Sequence, residues 1–431
     1  MHGRLLALWT SLYQLYYKYK DREWIYLLPL TMMSVAWHVR FFFRVWHSPR
    51  PLTYSEDSQW YIDYARTFIE HLQIGLHMDE IMYLGYNLLL AILLYIFKHE
   101  TIILFIQSFA TGLGVILVYL IARKLFNRLT ALIAALLYYN AWNIAIWTVY
   151  ILSDSFFILL LLLTVYLLLK VMETRKRMYR NLFLVASVFL FFFRPTGIVS
   201  LFFILIYIGL YLDWGKVWRF LKRHRFVIGG LVTSVLVAGI YIVFAGKLEP
   251  LFSSMQFNAK KVLYNVYAKG WVYDKPSSLD YVFKPDYTIN IGNSLVLSFF
   301  IHNFDHILVL YGRRMVGFLG YWVLNTDLTS QAGLKKFLGD VLPTVLFIVG
   351  TVSAMLSKQW RKMSIVWLVF LSVFVFCIIF FIDGFYRYKA PALPFIYIIC
   401  AYGLERLIRV VLLFATTYSG MLPWKKSKPS S

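Results

Sequence analysis

Apolar runs long enough to cross a bilayer recur along most of this chain, and short clusters of lysine and arginine separate them. About 20 apolar residues let a helix traverse roughly 30 Å of hydrocarbon, and inside lipid only helices or closed barrels satisfy the backbone. A mean hydropathy of +0.66 and a hydrophobic content of 60% agree with an all-α polytopic membrane protein. The formal net charge of +22 would otherwise suggest a nucleic-acid partner, but the cations sit between the apolar runs. That is where positive-inside topology places them, so they orient helices and touch membrane lipids, with no nucleic acid indicated. Cys377 and Cys400 both fall within apolar runs, leaving neither a disulfide framework nor a cysteine zinc motif. No Pro/Ser/Gly-rich linker and no internal repeat divides the chain, which predicts a single domain over 1–431.

The basic clusters also decide which runs cross. Lys18, Lys20 and Arg22 predict a cytoplasmic N-terminus, and residues 24–46 a permanent first span, since no small-residue cleavage site follows them. Residues 83–97 are apolar but would rise only roughly 22 Å as a helix. If they crossed, the basic loops near residues 123–128, 175–180 and 216–225 would all lie outside; if they lie along the outer surface, all three fall inside. The second arrangement makes 47–100 one large external loop with two juxtamembrane helices. Residues 101–122, 129–148 and 151–170 then cross. The run 181–212 is too long for one untilted helix at roughly 46 Å, and Pro195 breaks it by removing a donor and disfavouring helix before it. Arg194 is thereby placed near the outer face. Further spans are expected at 226–245, 341–357, 364–382 and from Pro391 onward. Between them lies a second external loop, 246–339, with an interfacial helix near 306–324. About ten crossings result, with a basic cytoplasmic tail at Lys425, Lys426 and Lys428.

With that topology the unusual ionisable groups gather at one face. Glu56, Asp57 and Asp63 follow the first span; Asp154, Arg194, Arg387 and Lys389 come from distant positions but the same depth. Ionisable groups at a membrane are costly and point to function. On a helix starting near Asp57, positions 57, 61, 64 and 65 share a face, placing Tyr61 and Tyr64 beneath Asp57 and turning Asp63 away. Asp57 is therefore the candidate base, with Glu56 beside it and Asp154 as a second acid; a cap at a helix start is the alternative for Asp57 and Asp154. Arg194, Arg387 and Lys389 suit a phosphate, the guanidinium by bidentate pairing and the ammonium as a point charge. His302 and His306, spaced i, i+4 beside Asp305, are a weaker metal candidate, as is His77 with Asp79 and Glu80. No glycine-rich phosphate loop or Ser-His-Asp order is present.

The motifs taken together resemble the GT-C glycosyltransferases, integral membrane enzymes using polyprenyl-phosphate-linked sugars. Within them, the chain looks most like the branch holding protein O-mannosyltransferases and aminoarabinose transferases. The resemblance runs through Asp57, Tyr61 and Ala65; through Tyr83-Leu84-Gly85-Tyr86-Asn87 to Ala91; through Leu152-Ser153-Asp154-Ser155; through Arg194-Pro195-Thr196-Gly197; and through Arg387-Tyr388 with Pro391 and Pro394. Members often carry Asp-Glu where this chain has Asp57-Ser58, and proline where it has Asn87. The resemblance implies transfer of a hexosyl or pentosyl group from a polyprenyl-phosphate donor to an acceptor hydroxyl on a cell-surface glycan, lipid or protein, with inversion. Asp57 would take the acceptor proton, the basic groups would bind the donor phosphate, and Tyr61, Tyr83, Tyr86 and Tyr388 would line the substrate site. No cofactor is required by this scheme, and a divalent cation beside the acids is left open. The absence of an Asn-x-Ser/Thr sequon favours a bacterial cytoplasmic membrane, with the site on its external face. A secondary transporter or lipid-linked-sugar flippase is the rival class; it predicts charges in mid-membrane and internal repeats. A scaffold without chemistry is a further alternative.

Overall fold

In the computed structural model, residues 21–48, 56–72, 78–246, 253, 259–260, 262–272, 280, 283–320, 328–379 and 385–419 are described. Among them the chain is helical almost throughout and forms no strand. The leader up to residue 20, His77, the turn around Tyr273 to Pro276, the Asp383-Gly384 loop and the basic tail lie outside the described residues, as do the side chains of Glu56, Asp79 and Glu80.

The first span is α1 (Trp24–Trp46), followed by α2 (Glu56–His71) and, after a 3-10 turn at Met78–Tyr83, by α3 (Leu84–Phe97). Two helices thus separate α1 from the next long apolar helix. The 14 residues of α3 rise about 21 Å, short of the hydrocarbon thickness. It buries Tyr86, Leu90 and Leu94 along one stripe and leaves Ile92 and Tyr95 exposed. Next come α4 (Glu100–Leu125) and α5 (Arg128–Tyr139), the latter bent by 53° into the short segment Trp142–Val149. Then follow α6 (Asp154–Thr174), α7 (Arg177–Phe193) and α8 (Pro195–Tyr211). Pro195 begins α8 and Arg194 stands between the helices with extended backbone, the break its proline predicts. A bend of 101° leads from α8 to α9 (Trp214–Arg223), and α10 (Arg225–Phe244) follows.

Further along, α11 (Leu295–His302) and α12 (Phe304–Leu319) meet at 84°. Helix α12 packs its Leu310 and Phe318 into a second core with Phe370, Val373 and Cys377 of α14 (Trp360–Ile379), while Leu308, Val309, Met315 and Val316 stay exposed. Arg314 is enclosed there, donating toward the carbonyls of Ile378 and Trp271 at 3.4 Å each. Between them, α13 (Gln331–Met355) starts ten residues before its apolar run, because Ser330 caps it by accepting from the Gly333 amide at 2.9 Å. A short helix, α15 (Phe385–Lys389), leads into α16 (Leu393–Ser419). The crossing of α13 and α16 is close: a Cβ at Gly350 or Gly403 would overlap the Ile399 or Leu346 carbonyl, as at small-residue contacts in membranes.

Among the described residues, five helices are long and apolar enough to cross a membrane, or up to eight if each bent pair counts as one span. That number is lower than the ten crossings expected from hydropathy. The two ends of the bundle differ in chemistry. At one end Glu23 accepts from Arg123 at 3.0 Å and Arg128 at 3.1 Å, and Arg361 stacks on Tyr211 at 4.7 Å. The starts of α6, α8 and α16 lie at the other.

Candidate active site

Four of the groups singled out from the sequence, Asp57, Asp154, Arg194 and Arg387, converge at that second end. Asp57 occupies the first turn of α2, where the helix dipole favours a carboxylate. Its helix turns Ser58, Tyr61, Ile62 and Ala65 inward, all enclosed. Asp63 points elsewhere and accepts from Gln59 Nε2 at 2.8 Å. Tyr61 reaches Ser153, its hydroxyl 3.4 Å from the serine Oγ. The segment before α6 is clasped by Gln107 of α4, whose amide donates to the carbonyls of Thr148 at 3.2 Å and Tyr150 at 2.8 Å. That clasp sets Ser153 and Asp154 at the head of α6.

Asp154 is bound on both oxygens. Arg194 donates to Oδ1, and Arg387 Nε donates to Oδ2 at 2.8 Å. A second nitrogen of Arg387 donates to Asp57 Oδ2, so one guanidinium bridges the two carboxylates. Exposure separates the members of this chain of charges. The Asp57 side chain is 56% exposed and that of Arg387 13%, whereas Arg194 is 2% and Asp154 0% exposed. Arg194 is further covered by Tyr388, whose ring centre lies 4.6 Å from the guanidinium carbon. Its backbone is held by the α7–α8 break, where the Gly197 amide donates to the Arg194 carbonyl at 2.8 Å. A side chain on Gly197 would collide with the Leu190 carbonyl.

Tyr61, Tyr83 and Tyr86 form an aromatic wall beside these charges, with ring centres 5.8 Å apart for Tyr61–Tyr83 and 4.8 Å for Tyr61–Tyr86. Burial pushes the Tyr61 and Tyr83 phenols above their ordinary range, so both stay protonated. Lys389 is placed differently from Arg387. It is buried, its ammonium lies 5.3 Å from the centre of the Phe318 ring, and it lines a cavity of about 170 Å³ with Asp340, Thr344, Phe370, Leu393 and Tyr397. Burial pulls its pKa down to about 8.

Among the described residues no three His, Cys, Asp or Glu side chains converge as a metal ion requires. Asp57 and Asp154 are both engaged by Arg387. His302 and His306 also part ways. The first is hydrogen-bonded to Asn290 Oδ1 at 2.7 Å, and the second donates to the Tyr267 carbonyl at 2.6 Å while stacked on Phe283. Sequence reasoning missed Ser153 and Gln107, whose parts depend on contacts between distant helices. It placed Lys389 with the two arginines, whereas the fold turns it into the neighbouring cavity.

Residues 84–242 match the family described as dolichyl-phosphate-mannose-protein mannosyltransferase. That stretch includes Tyr86, Asp154 and Arg194; it begins after Asp57 and ends before Arg387. Among solved structures, the archaeal oligosaccharyltransferase AglB from Archaeoglobus fulgidus, in complex with an inhibitory peptide and a dolichol-phosphate, is similar to this chain at 12% identity and a TM-score of 0.46. The similarity covers 94% of this chain and 52% of that one, so the chain spans about half the length of that protein. No curated relative matches the chain.

Proposed function

We propose that this chain is a membrane glycosyltransferase that moves a sugar from a polyprenyl-phosphate donor to an acceptor hydroxyl. The observation that carries this proposal is the Asp57–Arg387–Asp154–Arg194 chain, which puts an accessible carboxylate against a cation at one end of a membrane bundle. The family match over residues 84–242 supports the same class. Basic clusters at the opposite end of the bundle favour an external site under positive-inside topology, and the lack of an Asn-x-Ser/Thr sequon favours a bacterial cytoplasmic membrane.

In this scheme the acceptor hydroxyl lies against Asp57. Its oxygen attacks the anomeric carbon, its proton passes to the Asp57 carboxylate, and the bond from the anomeric carbon to the phosphate oxygen breaks. The electron pair leaves with the polyprenyl phosphate, and a single displacement inverts the anomeric centre. Arg387 turns toward the departing phosphate, where negative charge grows most in the transition state. Lys389 lends a second positive charge from the apolar cavity, beside which the first part of the lipid lies. Arg194 and Asp154 are too enclosed to reach the donor without rearrangement. Both act as positioning residues: Arg194 secures Asp154, and Asp154 aims Arg387. Tyr83 and Tyr388, both half-buried, wall the sugar site with the enclosed Tyr61 and Tyr86 packed behind them, and Glu56 stands next to the base in sequence.

The test uses the full-length protein in membranes with fluorescent polyprenyl-phosphate sugars and an extract of cell-surface glycans and lipids as acceptor. Asp57→Asn should lower transfer by about 10²–10⁴-fold, the usual contribution of a positioned base. Its melting should match the parent, because Asp57 is largely exposed. Full transfer by Asp57→Asn would overturn its assignment as base. A parent protein that releases no polyprenyl phosphate from any such donor would overturn the donor class.

A further inference from the structure

The end of the bundle away from Asp57 carries a second feature that sugar transfer does not use. Helix α8 starts beside Arg194 and runs 17 residues, a rise of about 25 Å that takes it to the end of the bundle where Tyr211 meets Arg361. There the chain turns by 101° into α9, so the ten residues of α9 lie across the direction of α8. Asp213 makes this turn: its carboxylate accepts from the Lys216 amide at 3.2 Å and caps the new helix. Trp214 folds back to within 3.7 Å of where a Cβ on Gly209 would stand.

The sequence of α9 divides its surface in two. At 100° per residue, Trp214, Val217, Trp218 and Leu221 fall on one side, and Lys216, Arg219, Lys222 and Arg223 on the other. No residue of α9 is buried against the rest of the protein. Four cations over ten residues face one local acid, Asp213, which is 3.3 Å from Lys216 Nζ. Arg219 Nε reaches only its own backbone, the Gly215 carbonyl at 3.3 Å. A further cation stands close by, since Tyr211, at the elbow, stacks under Arg361.

We propose that α9 is an in-plane anchor that binds the headgroups of anionic phospholipids on the face opposite the Asp57 site. Its tryptophan side enters the boundary between headgroups and acyl chains, and its basic side meets lipid phosphates. Tryptophan suits that boundary because one edge of the ring is polar and the rest apolar. Charge complementarity selects acidic over zwitterionic lipid, each lysine or arginine near such a surface contributing about a fivefold preference. The anchor fixes the depth and tilt of α8, the helix that begins at Arg194.

Hydrogen–deuterium exchange of the full-length protein in nanodiscs tests this, comparing phosphatidylcholine alone with an equal mixture of phosphatidylcholine and phosphatidylglycerol. Amides of residues 216–224 should exchange at least about fivefold more slowly in the mixture. The combined variant K216Q/R219Q/K222Q/R223Q should lose that difference, while α4 exchanges as in the parent and reports intact folding. Equal exchange of α9 in both lipids would overturn the proposal. So would a lipid effect that persists in the neutral variant, or protection that depends on two copies of the chain per disc instead of on lipid charge.

Discussion

Replacing Asp154 by asparagine removes one negative charge from between two guanidinium groups. The carboxylate is wholly enclosed, with Arg194 on one oxygen and Arg387 Nε on the other at 2.8 Å. Asparagine keeps the shape but leaves Arg194 buried without its anion, whereas Arg387 retains Asp57. Removing one partner of a buried pair costs about 3–5 kcal/mol, because the remaining charge stays desolvated. Thermal unfolding of the detergent-solubilised protein, at matched scan rates, should show Asp154→Asn less stable by that order. The double variant Asp154→Leu/Arg194→Met takes away both charges at similar volume, an exchange that is neutral or stabilising in other buried pairs. It should recover most of the lost stability yet remain poor at sugar transfer, since Arg387 has lost its inner anchor. Two outcomes would refute the reasoning: an Asp154→Asn protein as stable as the parent, or a double variant no more stable than the single.

Lys389 offers a pH test. Burial depresses its pKa to about 8, so it is cationic below that pH and neutral above it. The KM for the donor should therefore rise as pH increases through about 8, and Lys389→Arg should flatten that rise because guanidinium keeps its charge; an unchanged profile in the arginine variant would exclude Lys389 from donor binding. Gly403→Ala should destabilise the bundle by about 1–3 kcal/mol through the α13–α16 crossing, read by unfolding in detergent, since its methyl would meet the Leu346 carbonyl. Gly239→Ala, with open space around its Cβ, is the control and should leave stability unchanged or slightly raised.

Local chemistry made part of the site legible. The helical spacing of Asp57, Tyr61 and Ala65 was sufficient to turn Asp63 outward, because a helix face depends only on residue period. Pro195 was sufficient to place the break that leaves Arg194 between two helices. Hydropathy was less informative about helix extent. It missed the first ten residues of α13, where Lys335, Lys336 and Asp340 continue a helix that composition alone ends. It also offered no means of knowing that Arg314 would be enclosed, since carbonyls of two other segments satisfy it.

By itself the sequence determined the membrane class of the molecule and singled out the ionisable groups of its candidate site. Long apolar runs oblige the backbone to hydrogen-bond within helices, and scarce acids stand out against them. Only the tertiary structure decided how those groups divide their roles. Asp57 and Arg387 are 330 positions apart, yet one guanidinium bridges Asp57 and Asp154. Enclosure leaves Asp57 accessible and Asp154 not, and it sends Lys389 into a separate cavity. Burial and charge pairing depend on which helices meet, and neither residue period nor hydropathy records that.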